Sequence, residues 1–364
     1  MDIETRVVKA TEGSPRSPEL LEAAKCLQSG GLVVFPTETV YGLGANALLR
    51  DAVSRVFRVK GRPADNPVIV HISDMGMIKK VVSSVPETAI RLMERFWPGP
   101  LTLIMQKSDN VPDIVTAGLQ SVSIRMPSHA VALALISEAG VPVAAPSANI
   151  SGRTSITSAT EALKELHGMV DFIIDSGRTR IGLESTVLDV RRTPPEILRP
   201  GGVTLESLRD TIGEVIVHPA VFDRDYGSSV SLPSPGMKYT HYAPQHAVLV
   251  LVEPGPGSED AINRLYAEYR AEHKRVALLI TDECAAKGEM TVRIGSRTDA
   301  AGIASRLYAA MRELDDSGAD VIIAEGITEK EMGMAVMNRL RRAAGRIESQ
   351  NSGHKAKNDE GDEP

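Results

Sequence analysis

A glycine-bounded stretch at residues 30–47, GGLVVFPTETVYGLGANA, most constrains what this chain can fold into. It opens with LVVF, an apolar run too short for a helix, so the sequence predicts a buried strand that Pro36 ends. Hydrogen-bonding side chains then cluster at Thr37, Glu38, Thr39 and Tyr41. Gly42 and Gly44 follow, and we expect the backbone to turn there. Such a strand end is a common way to build a small-molecule site, although an ordinary strand-to-turn junction has the same pattern.

Length and composition bound the class of protein. A chain of 364 residues is longer than one core usually spans, which predicts two domains. A hydrophobic content of 42% and a charged content of 24% are ordinary for a globular protein in water. With 4% aromatic residues and a net charge of -6, the chain lacks the composition of a protein that coats nucleic acid. The same charge is compatible with a local basic cleft.

Nothing in the sequence indicates secretion, a disulfide framework or a membrane span. Cys26 and Cys284 lie far apart and lack the spacing of metal ligands. The N-terminus, MDIETRVVKA, carries two early acids and no apolar segment of the kind found in secretory signals. No apolar run approaches membrane-spanning length. We therefore expect a cytoplasmic protein without membrane contact.

A cationic loop, KGRPADNP at residues 60–67, follows a helix predicted over residues 51–59. Its prolines exclude a continuous helix. Lys60 and Arg62 suit phosphate oxygens, the lysine as a point charge and the arginine as a bidentate fork. A solvated surface loop is the alternative. The strand predicted next, VIVHI, carries His71, and a lone histidine in a strand is more often structural than catalytic.

Polar side chains share one face of a strand predicted in SVSIRMP at residues 121–127. Strand alternation places Ser121, Ser123 and Arg125 on that face. An arginine beside hydroxyl groups suits a carboxylate or a phosphate, although an exposed surface strand would show the same alternation.

A third polar cluster lies in VPVAAPSANISG at residues 141–152. Its prolines and small residues predict a rigid extended loop with regularly spaced hydroxyl and amide groups. These groups belong to Ser147, Asn149 and Ser151, and Ser155 and Thr157 extend the set.

The sequence predicts an α/β fold in two domains. We place the first at residues 1–218 and the second at residues 247–346, where strands alternate with helices and imply a small parallel sheet. Residues 219–246 are rich in Ser, Pro and Gly, yet they contain PGMKYTHYAP, more than a spacer needs, so we interpret them as a linker and lid. Residues 347–364 are polar and charged, which predicts a disordered tail.

Several functional motifs are missing. The turn at residues 255–260 only half resembles a dinucleotide fingerprint, because the third glycine is absent and Glu259 and Asp260 would repel a phosphate. We therefore interpret the second domain as structural or regulatory. The chain also has no Walker phosphate loop, zinc spacing or nucleophile elbow. The remaining hydroxyls, amides and cations suit the binding and orientation of a phosphate-bearing substrate more than covalent catalysis.

Eight motifs carry a resemblance to a known family. They are FPTETVYGLG at 35–44, KGRPADNPVIVHI at 60–72, FWPGPLT at 96–102, SVSIRMP at 121–127, APSANISG at 145–152, ESTV at 184–187, ILRPGG at 197–202 and PGMKYTHYAP at 235–244. With them the chain resembles the threonylcarbamoyl-AMP synthases in their long, two-domain form. The resemblance implies a YrdC-like twisted mixed sheet with a concave cleft, followed by a smaller Rossmann-like parallel α/β domain.

The resemblance also implies a reaction. L-Threonine, bicarbonate or carbon dioxide, and ATP would give L-threonylcarbamoyl-adenylate and pyrophosphate, which makes the protein a nucleotidyltransferase. Mg²⁺ is expected on the triphosphate, without a metal site in the protein. A separate transferase would then pass the threonylcarbamoyl group to an adenosine of tRNA.

Matching motif positions imply a division of labour in the site. The threonine-binding set is Thr39, His71, Arg125, the backbone of Ala145 and Ser185. The ATP-binding set is Arg62, Asn66, Ser121, Ser147, Ser155 and Arg199, with Tyr239 and His241 closing from the linker. The catalytic set is Lys60, Arg62, Ser147 and Asn149, a Lys-x-Arg with Ser-x-Asn pattern. The identity of any general base stays open.

Two alternatives come from other functional classes. YrdC-like domains present a concave basic surface, so weak RNA binding is one. The arginines that could form such a surface are Arg153, Arg178, Arg180, Arg191, Arg192 and Arg199. A carbamoyl-adenylate reaction of the hydrogenase-maturation type is the other, and the absence of zinc-finger and acylphosphatase portions argues against it.

Overall fold

The computed structural model describes residues 3–223 and 242–349. The strands are β1 (Arg6–Lys9), β2 (Val33–Phe35), β3 (Gly42–Asn46), β4 (Ile69–His71), β5 (Leu101–Gln106), β6 (Ser121–Arg125), β7 (Val143–Ala144), β8 (Phe172–Asp175), β9 (Thr186–Asp189), β10 (Glu196–Arg199), β11 (Ile216–Val217), β12 (Val248–Val252), β13 (Val276–Ile280), β14 (Met290–Arg293), β15 (Val321–Glu325) and β16 (Arg346–Glu348). The helices are α1 (Pro18–Gln28), α2 (Arg50–Lys60), α3 (Ile78–Val81), α4 (Glu87–Phe96), α5 (Asp113–Thr116), α6 (Ala130–Ala139), α7 (Ala159–Leu166), α8 (Leu205–Ile212), α9 (Ser258–Ala271), α10 (Ala300–Asp316) and α11 (Met332–Ala343). Short 3₁₀ turns occupy Met75–Met77 and Pro219–Val221.

The N-terminal part forms one mixed sheet in the order β1-β8-β2-β3-β7-β4-β6-β5-β9-β10-β11. Its pairs are both parallel, as between β4 and β6, and antiparallel, as between β2 and β3. Helices cover both faces of this sheet. Alternate residues of β2 therefore enter different apolar cores. Val33 and Phe35 pack with α1 and α6 on one face, while Val34 packs with α2 and α7 on the other. The predicted mixed sheet is confirmed.

Local signals set the helix ends. α1 begins after Ser17, whose Oγ accepts a hydrogen bond of 3.1 Å from the backbone N–H of Leu20, with Pro18 in the first turn. α2 runs one residue further than the sequence predicts, so Lys60 is its last residue. Gly61 then ends it in the left-handed conformation, at φ 59°. The cationic loop therefore begins with a helical lysine.

The glycines at the end of the opening stretch form a strand and not the predicted turn. Gly42 and Gly44 belong to β3, which returns antiparallel to β2 with Gly44 opposite Val33. A Cβ atom on Gly44 would lie 2.8 Å from Cε1 of Phe35 and 2.9 Å from Cγ1 of Val143. The glycine is needed because neighbouring side chains fill the space, not because the backbone reverses direction.

The C-terminal part forms a second, fully parallel sheet in the order β14-β13-β15-β12-β16. It confirms the predicted parallel α/β unit. The strand β16 pairs with β12, so residues 347 and 348, which the sequence analysis assigned to a disordered tail, lie in a strand. Residues 350–364 lie outside the described part of the chain.

The two sheets share an interface rather than sitting apart on a tether. Val40 and Leu183 of the N-terminal part belong to the apolar core of the second sheet. A Cβ atom on Gly182 would lie 2.6 Å from the carbonyl oxygen of Ala304 on α10. Arg312 pairs with Glu165 across the contact, at 2.7 Å. Most of the predicted linker at residues 219–246 lies outside the described residues, so the domain boundaries stay a prediction.

None of the helices in the described ranges is long and apolar enough to cross a membrane.

Gly44→Ala should destabilise the protein because the added methyl group meets Phe35 and Val143 in a packed core. We expect the free energy of unfolding to fall by about 1–3 kcal/mol in urea titrations. Gly13→Ala is the control, since nothing lies within 4 Å of its Cβ position. Equal stability of the two variants would contradict the packing at β3.

Candidate active site

A cleft opens where the loop after β2, the end of α2, the loop after β7 and the start of β9 meet. Its walls are Thr37, Thr39, Val40, Tyr41, Gly42, Lys60, Arg62, Val68, Ile69, His71, Arg125, Ala145, Pro146, Ser147, Asn149, Ser151, Arg153, Glu184, Ser185, Arg199 and Tyr242. The predicted site residues among them are Thr39, Lys60, Arg62, His71, Arg125, Ala145, Ser147, Asn149, Ser185 and Arg199. Segments far apart in the sequence thus converge on one cavity.

Three predicted residues stand outside this lining, and two more lie outside the described part of the chain. Asn66 is buried and accepts a hydrogen bond of 2.7 Å on Oδ1 from Arg62. Ser155 is buried and donates to Glu184 at 2.5 Å. Ser121 lies at the opposite end of β6 from Arg125. Tyr239 and His241 lie outside the described residues.

Arg125 anchors one end of the cleft. Its Nη1 donates to Oγ1 of Thr39 at 2.8 Å, and its Nε donates to the carbonyl of Gly99 at 3.2 Å. Its Nη2 lies 2.7 Å from Oε1 of Glu38, a buried charge pair without hydrogen-bond geometry. Glu38 therefore offsets the charge of Arg125, while Thr39 and the carbonyl of Gly99 orient its guanidinium.

Hydroxyl groups support Arg125. The Oγ1 atoms of Thr37 and Thr39 are 2.8 Å apart, and Thr37 donates to the carbonyl of Val40 at 2.7 Å. This turn holds Thr39 against the guanidinium. The predicted strand end with clustered hydroxyls thus becomes one wall of the cleft.

His71 is neutral in this cleft. Burial, and then the charge of Arg125, lower the pKa of His71 to about 3. Its ring meets Phe35 edge to face, with centroids 6.0 Å apart. Its Nδ1 has no hydrogen-bond partner among the described residues. A neutral imidazole at this position can exchange hydrogen bonds with a substrate without adding charge.

The parallel register of β4 and β6 separates the predicted threonine set from Ser121. Ile69 lies opposite Ser123, and His71 lies opposite Arg125. The threonine-set residues His71 and Arg125 are therefore at the carboxyl ends of both strands. Ser121 lies about 13 Å away, four residues back at 3.3 Å per residue. Arg62 belongs to that other end, because it holds Asn66, which precedes β4.

Lys60 binds the protein's own backbone. Its Nζ donates to the carbonyl oxygen of Ser147 at 2.6 Å and to that of Asn149. Its side chain is buried, although the sequence analysis placed it beside phosphates in a loop. Burial, and then the charge of Arg62, lower the pKa of Lys60 to about 7. Its hydrogen bonds hold the loop after β7 in place.

Two side chains of the loop after β7 each carry an oxygen atom without a hydrogen-bond partner among the described residues. Asn149 donates through Nδ2 to the carbonyls of Ile150 and Arg153, both at 2.8 Å. Its Oδ1 and the Oγ of Ser151 have no partner among the described residues. Both face the cleft, so a ligand could satisfy them.

Arg199 completes the cationic set. Its Nη2 donates to the carbonyl of Ser185 at 2.9 Å and to its Oγ at 3.2 Å. The Ser185 hydroxyl is also 2.7 Å from that of Thr102. Burial lowers the pKa of Arg199, yet the guanidinium stays charged because its usual value is far above neutral pH. The start of β9 is thereby fixed against the end of β10.

Sequence reasoning missed Glu38, Glu184 and Tyr242 as parts of the site. Glu38 and Glu184 lie inside the motifs at 35–44 and 184–187. The sequence did not show that both would be buried and paired with arginines. Glu184 pairs at 2.7 Å with Arg339, which is 155 residues away. No local pattern in the sequence signals such a contact.

The comparisons with known proteins agree with this geometry. A family model described as Telomere recombination matches residues 25–201, and one described as Threonylcarbamoyl-AMP synthase, C-terminal domain, matches residues 203–345. Threonylcarbamoyl-AMP synthase of Pyrococcus abyssi is 48% identical over 324 residues, 89% of this chain and 93% of that protein. The one from Bacillus subtilis is 46% identical, covering 92% of this chain and 95% of its own.

The chain belongs to the threonylcarbamoyl-AMP synthase family.

A solved structure supports the same assignment. The crystal structure of P. abyssi Sua5 complexed with L-threonine matches with a TM-score of 0.87 at 45% identity. The match covers 95% of this chain and 99% of the other. It includes both sheets, so the two-part architecture predicted from the resemblance to the synthase family is confirmed.

Three of the six arginines predicted to form an RNA surface are paired or buried. Arg191 pairs with Asp189 at 2.7 Å, and Arg192 pairs with Glu196 at 3.1 Å. Arg199 is buried in the cleft. The structure therefore adds no support for RNA binding.

The buried Lys60 should make stability depend on pH. Its pKa is about 7 in the folded protein, against about 10.4 in an unfolded chain, so the unfolded chain binds an extra proton between these values. Wild-type stability should therefore gain about 2 kcal/mol from Lys60 between pH 7 and 9.

Urea unfolding at both pH values tests this expectation. Lys60→Met should lack the gain, whereas Lys25→Met, which removes an exposed lysine on α1, should keep it. Equal pH dependence in wild type and Lys60→Met would show that Lys60 is charged in the folded protein at pH 9.

Proposed function

We propose that this protein synthesises L-threonylcarbamoyl-adenylate and pyrophosphate from L-threonine, bicarbonate or carbon dioxide, and ATP. Membership of the threonylcarbamoyl-AMP synthase family supports this, and one structural observation carries it. A single cleft presents a cationic end suited to a carboxylate and a second cationic end suited to phosphates. Joining an amino acid to a nucleotide needs both ends in one cavity.

Threonine would bind at the Arg125 end. The guanidinium of Arg125, which Thr39 orients at 2.8 Å, would bind the carboxylate in competition with Glu38. The unpartnered Nδ1 of neutral His71 would meet the polar groups of the amino acid. Ser185 and the backbone of Ala145 line the same cleft. These groups would direct the amine toward the other end.

ATP would bind at the Arg62 end. Arg62 and Arg199 supply charge for the phosphates, and Asn149 and Ser147 line the path between the two ends. Lys60 would hold the loop after β7 through its bonds to the carbonyls of Ser147 and Asn149. Such preorganised cations offset the repulsion between two anionic substrates.

The proposed chemistry needs no protein nucleophile. The threonine nitrogen attacks carbon dioxide, loses a proton and becomes a carbamate. A carbamate oxygen then attacks the α-phosphorus of ATP, and the bond to the bridging oxygen of the β-phosphate breaks in line. Pyrophosphate leaves with that electron pair. The protein contributes alignment and charge stabilisation.

Mg²⁺ would enter with the nucleotide. Within the described ranges, no group of three or more His, Cys, Asp and Glu side chains could hold a metal ion. Mg²⁺ commonly keeps its waters and binds through substrate phosphates, so a protein cage is not required. The ion would neutralise triphosphate charge.

The product suggests the partners. An acyl-adenylate of this type is a donor, so we propose that a separate transferase passes the threonylcarbamoyl group to an adenosine of tRNA. We also propose a cytoplasmic location, where threonine, ATP and tRNA meet.

Pyrophosphate release tests the function directly. The full-length protein with ATP, threonine, bicarbonate and Mg²⁺ should release pyrophosphate and form an adenylate of matching mass. Omission of threonine or bicarbonate should stop the release. Threonine-independent release at the full rate would refute the proposed reaction.

Variants at the two ends should separate the two substrates. Arg125→Met should raise the KM for threonine by about 100-fold, as expected for the loss of a buried charge-assisted contact worth about 2–4 kcal/mol, with a smaller change for ATP. Arg62→Ala should instead abolish turnover or raise the KM for ATP. If Arg125→Met instead raised the KM for ATP and Arg62→Ala raised the KM for threonine, the two assigned ends would be reversed.

A further inference from the structure

A buried carboxylate beside the cleft is held by residues of the C-terminal sheet. Glu184 accepts hydrogen bonds from Nε of Arg339 at 2.7 Å and from the hydroxyl of Tyr308 at 3.1 Å. Tyr308 lies on α10 and Arg339 on α11. Ser155 of the N-terminal part supplies a third bond, at 2.5 Å. Two of these three donors thus come from the second unit.

Two guanidinium groups act on the charge of Glu184. Burial raises the pKa of this carboxyl, yet the charge of Arg339, and next that of Arg199, hold it below its usual value. Arg199 belongs to the cationic set of the cleft, and Arg339 does not line the cleft. A buried carboxylate that lost Arg339 would draw on Arg199 as its remaining counter-charge.

Arg339 also holds the chain on the other side of the site. Its Nη2 donates to the carbonyl of Pro200 at 3.0 Å. Glu184 precedes Ser185, and Pro200 follows Arg199, so one fully buried side chain grips the neighbours of two cleft residues. These contacts hold the backbone next to Ser185 and the backbone next to Arg199 in place relative to each other.

Arg339 and Tyr308 also contact the wall of the cleft. Tyr242 lines the cleft and stacks on Tyr308, with ring centroids 5.6 Å apart. The Cζ atom of Arg339 lies 5.1 Å from the centre of the Tyr242 ring. Arg339 and Tyr308 therefore contact both Glu184 and the wall.

We propose that Arg339 and Tyr308 are positioning residues for nucleotide binding, because they neutralise and orient Glu184 and so leave the charge of Arg199 to the phosphates. The role of the nucleotide rests on the proposed function. The C-terminal unit is then a structural part of the active site, and its helices α10 and α11 set the affinity for ATP.

ATP binding by the full-length protein, measured by calorimetry, tests the proposal without requiring turnover. Arg339→Met should weaken ATP binding at least tenfold. Arg341→Met is the matched control, since Arg341 lies on the same helix and pairs at 2.7 Å with Glu253 of the second unit. It should bind ATP within twofold of wild type.

A charge-specific rescue separates positioning from a purely structural role. Glu184→Gln combined with Arg339→Met removes the buried charge together with its partner, so Arg199 is free again. The double variant should bind ATP at least threefold more tightly than Arg339→Met alone, and it should fall short of wild type because the bond to Pro200 stays lost. A double variant no better than Arg339→Met would overturn the proposal, as would unchanged ATP affinity in folded Arg339→Met.

Tyr308→Phe provides a test that keeps every charge. It deletes one hydrogen bond to Glu184, and ATP affinity should fall two- to fivefold while thermal unfolding confirms a folded protein. Unchanged affinity in Tyr308→Phe would remove Tyr308 from the proposal. Loss of threonine-dependent pyrophosphate release in wild type would refute the proposed function instead, because ATP binding is measured separately.

Discussion

The cleft depends on charge held inside the protein. Lys60 carries its ammonium group from the end of α2 to the carbonyls of Ser147 and Asn149, and so joins the helix to the loop after β7. Burial and neighbouring cations make this arrangement costly, as the lowered pKa values of Lys60 and Arg62 indicate. An anionic ligand would relieve that cost.

The sheet sets the spacing between the two substrate ends. β4 and β6 run parallel, so the residues that leave their carboxyl ends, His71 and Arg125, meet at one place. The chain that enters β4 carries Arg62 and Asn66 to the other. This pair of strands thus separates the segments that carry the proposed carboxylate and phosphate contacts. Such an arrangement would contribute to a reaction by aligning two bound substrates rather than by supplying a reactive side chain.

Local sequence signals predicted the elements and much of the site, while pairings over long distances were missed. The capped start of α1 was readable at Ser17, since capping involves only neighbours in sequence. The turn expected at Gly44 was wrong because its reason is the Phe35 ring packed against it, which only the folded sheet reveals. Lys60 was assigned to phosphate from its charge, and its buried contacts depend on a loop 87 residues away. The resemblance to the synthase family supplied the residue roles that spacing alone left open.

The C-terminal sheet was interpreted from sequence as structural or regulatory, and the interface makes that description too narrow. A Cβ atom on Gly201 would lie 2.3 Å from the carbonyl oxygen of Glu184, so the chain before β9 and the chain after β10 touch directly. Arg339 bonds to both segments, at Glu184 and at Pro200. The side chain of Arg339 thus joins α11 to the backbone on both sides of the cleft, next to Ser185 and next to Arg199. Because a packed interface tolerates little deformation, these contacts hold the two segments together.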